Sequence, residues 1–100
     1  MVLYNITIIM DEGIQDSWLN WANNNLIPSI MDTNLFVSNR TLKVLDSPNE
    51  GITYCIQFIA DDLEKYNRYQ DEFAPRLAST QPVEFENRCF SFTTIMEFIN

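Results

Sequence analysis

Histidine is absent from the chain, which removes the common Ser/His and Cys/His nucleophile pairs and every histidine-bearing metal site. Only two glycines occur, Gly13 and Gly51, so there is no glycine-rich phosphate loop. The two cysteines, Cys55 and Cys89, form no C-x-x-C motif, and no histidine stands ready to lower a thiol pKa. Basic residues are few: 6 against 14 acidic ones, a net charge of -8. Such a field repels phosphate backbones and anionic lipid heads, so nucleic acid is not expected as a partner. Nor is a membrane, because no stretch approaches the roughly 20 apolar residues of a span. The chain opens on strand-forming residues without a basic and apolar leader, and a cytoplasmic location is the expectation. Asn5-Ile6-Thr7 and Asn39-Arg40-Thr41 match the glycosylation pattern but carry no weight in that setting.

What the chain does contain is 46% hydrophobic residues in 100, enough for one domain spanning 1–100, and a regular change of hydrophobic period. Val2 to Met10 alternates as a strand, with Tyr4, Ile6, Ile8 and Met10 on one face and Asn5, Thr7 and Ile9 on the other. Ile14, Trp18, Trp21, Ala22 and Asn25 recur at helical steps, and Pro28 predicts a kink or a fresh turn from Leu26 to Met31. Asn34 can end that helix in the left-handed conformation. Strands follow over about 35–45 and 52–60, joined by the turn residues Ser47-Pro48-Asn49-Glu50-Gly51. Asp61 or Asp62 caps a second helix bearing Leu63, Tyr66, Tyr69, Gln70, Phe73 and Leu77, which Pro75 disturbs near its end. Arg88 to Phe98 is the last strand.

The resulting order, βαββαβ, predicts an α+β ferredoxin-like domain: a four-stranded antiparallel sheet, usual order 4-1-3-2, with two helices on one face. Burial of large side chains selects Tyr4, Ile6, Ile8, Tyr54, Ile56, Phe58, Phe90, Phe92 and Met96 for the helix side. The open face then carries Asn5, Thr7, Ile9, Thr53, Cys55, Gln57, Ile59, Cys89, Ser91, Thr93 and Ile95. That face mixes hydrogen-bonding and β-branched groups without charge, as a sheet packing on a second sheet does. A homodimer is the expected assembly, with Asn5, Thr7, Ile9, Cys55, Gln57, Ser91, Thr93 and Ile95 at the interface; a monomer with a neutral open face is the alternative. Cys55 and Cys89, on one face but two strand spacings or about 9.5 Å apart, are expected as free thiols.

For chemistry, carboxylates, tyrosines, arginines and lysines remain. The acidic pairs Asp11-Glu12, Asp61-Asp62 and Asp71-Glu72 read as helix caps and solubilising charge, so no metal site is assigned. Arg40 and Lys43 fall on opposite strand faces and form no anion clamp. Tyr4, Trp18, Trp21, Tyr54 and Tyr66, with Tyr69 and Phe73, either fill the core or line a cleft where Arg76 orients a small planar ligand. The candidate ligand-binding residues are Tyr4, Trp18, Trp21, Tyr54, Tyr66 and Arg76. No catalytic residue and no cofactor is assigned.

Several segments together resemble a known family: Tyr4-Asn5-Ile6-Thr7, Trp18-Leu19-Asn20-Trp21, Ile27-Pro28, Thr33-Asn34-Leu35-Phe36, Thr53-Tyr54 with Gln57-Phe58, Tyr66 with Tyr69, and Ala74-Pro75-Arg76-Leu77. The chain is similar over nearly its whole length to short bacterial proteins with an uncharacterised domain of unknown function. These belong to the dimeric α/β-barrel group of antibiotic-biosynthesis monooxygenases, NIPSNAP-like and EthD-like proteins. The resemblance implies the fold and dimerisation. Two positions depart from the family pattern: Leu26 stands where a histidine is common, and Asn34 where glycine is frequent. Haem-degrading members of the group use an Asn/Trp/His set that this chain cannot supply. Two functions therefore compete, a non-catalytic binding or interaction module, and a cofactor-independent monooxygenase or isomerase acting on a small aromatic or hydrophobic substrate in the Trp18/Tyr54/Tyr66 cleft; the partners considered are a second copy of the chain and a small hydrophobic or aromatic ligand.

Overall fold

The computed structural model describes residues 1–47, 50–78 and 80–100. Its strands are β1 (Val2–Met10), β2 (Ser38–Lys43), β3 (Ile52–Ala60) and β4 (Cys89–Glu97), ordered β2-β3-β1-β4 with every pairing antiparallel. This is the ferredoxin-like sheet expected from the alternation. β1 and β3 occupy the centre, which explains their wealth of β-branched and aromatic residues.

The first helical segment is built in pieces: a short 3-10 turn at Glu12–Ile14, α1 (Gln15–Trp21), a π turn over Ala22–Leu26, and α2 (Ile27–Met31). Pro28 has no N–H, and its ring would strike the carbonyl four residues back in a regular helix. The chain answers by widening, so that Ile27 N–H bonds to Ala22 O, five residues back. Asn34 then takes φ 63, the left-handed exit expected of it. After β3, α3 (Leu63–Glu72) begins at Asp62, whose carboxylate accepts from Lys65 N–H at 2.9 Å. It breaks at Phe73, ahead of Pro75, before the short α4 (Ala74–Ala78).

The bounds of β2 differ most from expectation, and those of β4 by one residue at each end. β2 is confined to Ser38–Lys43 because Leu35 and Phe36 dive into the core, where Phe36 packs on Phe58 with ring centroids 5.5 Å apart. In the turn before β3, Gly51 has φ 87, and a Cβ there would collide with the Met10 carbonyl. Pro48 and Asn49 of that expected turn lie outside the described residues.

The larger correction concerns the faces of β4. Directly paired residues share a face, and β1 pairs Met10 with Cys89, Ile8 with Ser91, Ile6 with Thr93 and Tyr4 with Ile95. Cys89, Ser91, Thr93 and Ile95 therefore lie on the helix side, not on the open face. Phe90, Phe92 and Met96, expected beneath the helices, lie on the open face beside Ile9, Thr7 and Leu3. The expectation failed because it put the aromatic set inside, whereas β4 is exposed on both faces from Phe90 to Glu97. One residue of phase decides the face of a whole strand. As a consequence Cys55 and Cys89, both free, project from opposite sides of the sheet.

Candidate functional site

Between the helices and the sheet lies a cavity of about 240 Å³. Its floor is Tyr4, Ile6 and Ile8 of β1, and Ile6 is only half-buried there despite its central strand. One wall comes from the first helical segment: Trp18, Trp21, Leu26 and Ile30. In a regular helix each four-residue step drifts by roughly 40° around the axis, so positions 18, 22, 26 and 30 would spiral away from the sheet. The π turn absorbs that drift, and Trp18, Ala22 and Ile30 are all buried with Leu26 packed against them. The opposite wall is Tyr69, Ala74 and Leu77, and the rim is Gln81, Ser91 and Thr93, all three exposed.

Tyr4 is the aromatic hub. Its ring lies 5.4 Å from Tyr66, 5.6 Å from Tyr69 and 6.0 Å from Phe36. Burial pushes the Tyr69 hydroxyl well above its ordinary pKa, and Tyr4 beside it adds to the effect. Burial likewise raises Tyr4. Both phenols are thus held protonated, as hydrogen-bonding groups rather than bases. Burial also raises the Cys89 thiol, which donates weakly to Phe85 O at 3.7 Å. Trp18 is 2% exposed and its Nε1 has no hydrogen-bond partner among the described residues.

Of the six candidate ligand-binding residues, three line this cavity: Tyr4, Trp18 and Trp21. The other three are engaged elsewhere. The Tyr54 hydroxyl accepts from Gln15 Nε2, Tyr66 packs behind Tyr4, and the Arg76 guanidinium sits 5.6 Å from the centroid of the Phe73 ring. Sequence reasoning did not assign Leu26 and Ile30 to the site, although they continue the four-residue ladder Trp18, Ala22, Leu26, Ile30. It also missed Phe85, a buried residue whose ring meets Trp21 edge-on at 6.1 Å. Ser91 and Thr93 were assigned to an interface and stand instead at the cavity rim.

The open face carries a polar row running across three strands. Arg40 Nε donates to Gln57 Oε1 at 2.7 Å, Gln57 Nε2 to Asn5 Oδ1 at 3.2 Å, and Asn5 Nδ2 to Thr7 Oγ1 at 2.8 Å. Exposed apolar groups flank it: Leu42 on one side, and Phe90, Phe92 and Met96 of β4 on the other. A wider groove at the Met10 end of the sheet collects Asp11, Glu12 and Glu50, and its arginine, Arg88, pairs with Asp11 at 3.3 Å.

Among the described residues no helix is long and apolar enough to cross a membrane. Residues 1–99 match the model of a family described as a domain of unknown function, DUF4286. No curated protein matches the sequence. Solved structures similar to this chain include a dimeric ferredoxin-like protein from an uncultured marine organism, at 13% identity and TM-score 0.71, covering 100% of this chain and 96% of that one. The heme-degrader MhuD from Mycobacterium tuberculosis, with two hemes bound in its active site, is similar at 9% identity and TM-score 0.72, covering 100% and 97%. SnoaB, a cofactor-independent oxygenase from Streptomyces nogalater, is similar at 11% identity and TM-score 0.68, covering 99% and 94%. At these identities the likeness concerns the fold.

Proposed function

The chain belongs to the DUF4286 family, and from that premise we propose a small cytoplasmic homodimer that binds a small hydrophobic or aromatic ligand in the helix-sheet cavity. The observation that carries the reading is the cavity itself: an apolar space of about 240 Å³ walled by Tyr4, Trp18 and Trp21, with central β1 only half-covered at Ile6. The open face supports the dimer, since Leu42, Phe90, Phe92 and Met96 are all more than 40% exposed around a satisfied polar row, at 43%, 63%, 47% and 43%. Two unbridged thiols suit a reducing compartment.

A second reading, a cofactor-independent monooxygenase or isomerase, is favoured by the likeness to SnoaB. Binding is preferred because the phenols of Tyr4 and Tyr69 beside the cavity are held protonated, and no histidine is available as a base. Planar aromatic compounds screened by tryptophan fluorescence and thermal shift test the proposal. A ligand at 100 times its dissociation constant adds about 2.7 kcal/mol of stability. No response across a broad panel refutes the cavity as a binding site, and oxygen consumption or product formation with a hit moves the assignment to the enzyme.

A further inference from the structure

The strand at the cavity mouth reverses the polarity of the sheet. β1 and β3 turn tyrosine, isoleucine and phenylalanine towards the helices, whereas β4 turns Ser91 and Thr93 there and puts Phe90 and Phe92 on the open face. Two residues apart on one strand face, the two hydroxyls border the cavity together with Gln81. Gln81 Oε1 lies 3.8 Å from the Cys89 thiol as its acceptor, which leaves Nε2 to donate. All three side chains are exposed, and neither hydroxyl has a partner among the described residues, so each is open to whatever occupies the mouth. Deeper in, hydrogen-bonding capacity is engaged or sealed. The Tyr4 hydroxyl bonds to Tyr69 and Gln70, and Trp18 Nε1 is enclosed by the protein around it, out of a ligand's reach. No Lys, Arg, Asp or Glu lines the cavity. Its volume of about 240 Å³ falls below the range of about 300–1,000 Å³ usual for pockets that take drug-sized ligands.

We propose that the ligand is a small uncharged amphiphile, with an apolar body about the size of two fused rings seated on Ile6 and Ile8 and a hydroxyl or carboxamide head held at the mouth by Ser91, Thr93 and Gln81. The inference deepens the binding reading above and rests on it. The apolar body supplies contact, and the head fixes orientation and selects among bodies of similar shape. A charged head would give up water at the mouth without a counter-charge, and the net charge of -8 repels an anion further.

Three probes of nearly equal shape separate these contributions: 2-naphthamide, 2-methylnaphthalene, which lacks the head, and 2-naphthoate, which charges it. Each is titrated into the wild-type protein and into Ser91→Ala/Thr93→Val while proton–nitrogen correlation spectra follow the Trp21 indole and the backbone amides of β4. In wild type the carboxamide is expected to bind roughly three- to tenfold tighter than the hydrocarbon and roughly tenfold tighter than the carboxylate. In the double variant the carboxamide and the hydrocarbon should bind equally. If that variant does not fold, nuclear Overhauser contacts in the wild-type complex decide: the carboxamide protons should meet Thr93 and the far ring Ile6. Equal binding of carboxamide and hydrocarbon in wild type, a carboxylate that binds as tightly as the carboxamide, a preference that survives in the double variant, or contacts in the reverse orientation overturns the amphiphile inference and leaves the cavity reading standing. Failure of all three probes to shift the Trp21 indole up to their solubility limits overturns both.

Discussion

Replacing Phe92 with aspartate tests which face of the sheet two protomers share. Phe92 is 47% exposed on the open face. For a phenyl side chain of roughly 200 Å², that leaves about 95 Å² to be covered by a partner. At about 25 cal/mol per Å² this amounts to about 2.4 kcal/mol. A two-fold axis repeats the loss in the second protomer, for about 5 kcal/mol per dimer, or a dissociation constant weakened by roughly 10³- to 10⁴-fold. Desolvating the new carboxylate adds to the effect. Thr93→Asp is the matched control: it introduces the same charge on the neighbouring residue, but on the helix side at the cavity rim. Sedimentation equilibrium over the micromolar range should show wild type and Thr93→Asp at twice the chain mass and Phe92→Asp at the chain mass. A Phe92→Asp variant that stays dimeric, or a Thr93→Asp variant that dissociates, refutes the face assignment. A wild type that is monomeric throughout refutes the dimer.

Other perturbations reach other parts of the argument. Asp62→Ala removes the α3 cap bond to Lys65 N–H and should cost about 1 kcal/mol in urea unfolding. Trp18→Ala should cost about 3 kcal/mol, the low end for a buried aromatic, because the ring already borders empty space; urea unfolding measures this as well. Tyr69 is raised above 10.0 in the folded state, so the native protein keeps a proton that the unfolded chain has released. Its contribution to stability is complete below pH 10.0 and declines as pH climbs beyond that towards the folded pKa. Urea midpoints across the alkaline range should fall less steeply in Tyr69→Phe than in wild type.

The parts of the fold that were legible in the sequence are those where one segment decides its own structure. β1 and β3 alternate so regularly that their ends, Val2, Met10, Ile52 and Ala60, were placed correctly, and the start of α3 was legible to within one residue, Asp61 or Asp62, the structure choosing Asp62 through a local carboxylate–amide bond. The side of β4 was not legible, because alternation divides a strand into two sets without saying which faces inward. Only its pairing with β1, from Met10 opposite Cys89 to Val2 opposite Glu97, settles that. Phe85 was hidden for a related reason: it is a lone aromatic in a short turn, and its burial depends on Trp21, far away in the chain. The cavity follows from the π turn, a response to Pro28 that turns a four-residue spacing into a flat wall. Proline marked the irregularity; its geometric result required the neighbouring carbonyls.

The place of β4 also sets the order in which the protein can come together in time. β1 lies between β3 and β4, and residues as distant as Val2 and Glu97 are direct neighbours across the sheet. During synthesis β3, one neighbour of β1 in the sheet, is available while β4 has not yet left the ribosome, so one long edge of β1 waits, bare, for the final strand. Closing so long a loop costs entropy before any contact compensates it, and folds dominated by such pairings form slowly. Until β4 docks, the apolar sequence from Val2 to Met10 offers its backbone to any other strand nearby. A break anywhere between Cys89 and Glu97 would therefore act less like the loss of a surface strand than like the exposure of the oldest one, and misassembly between nascent chains is the failure to watch for.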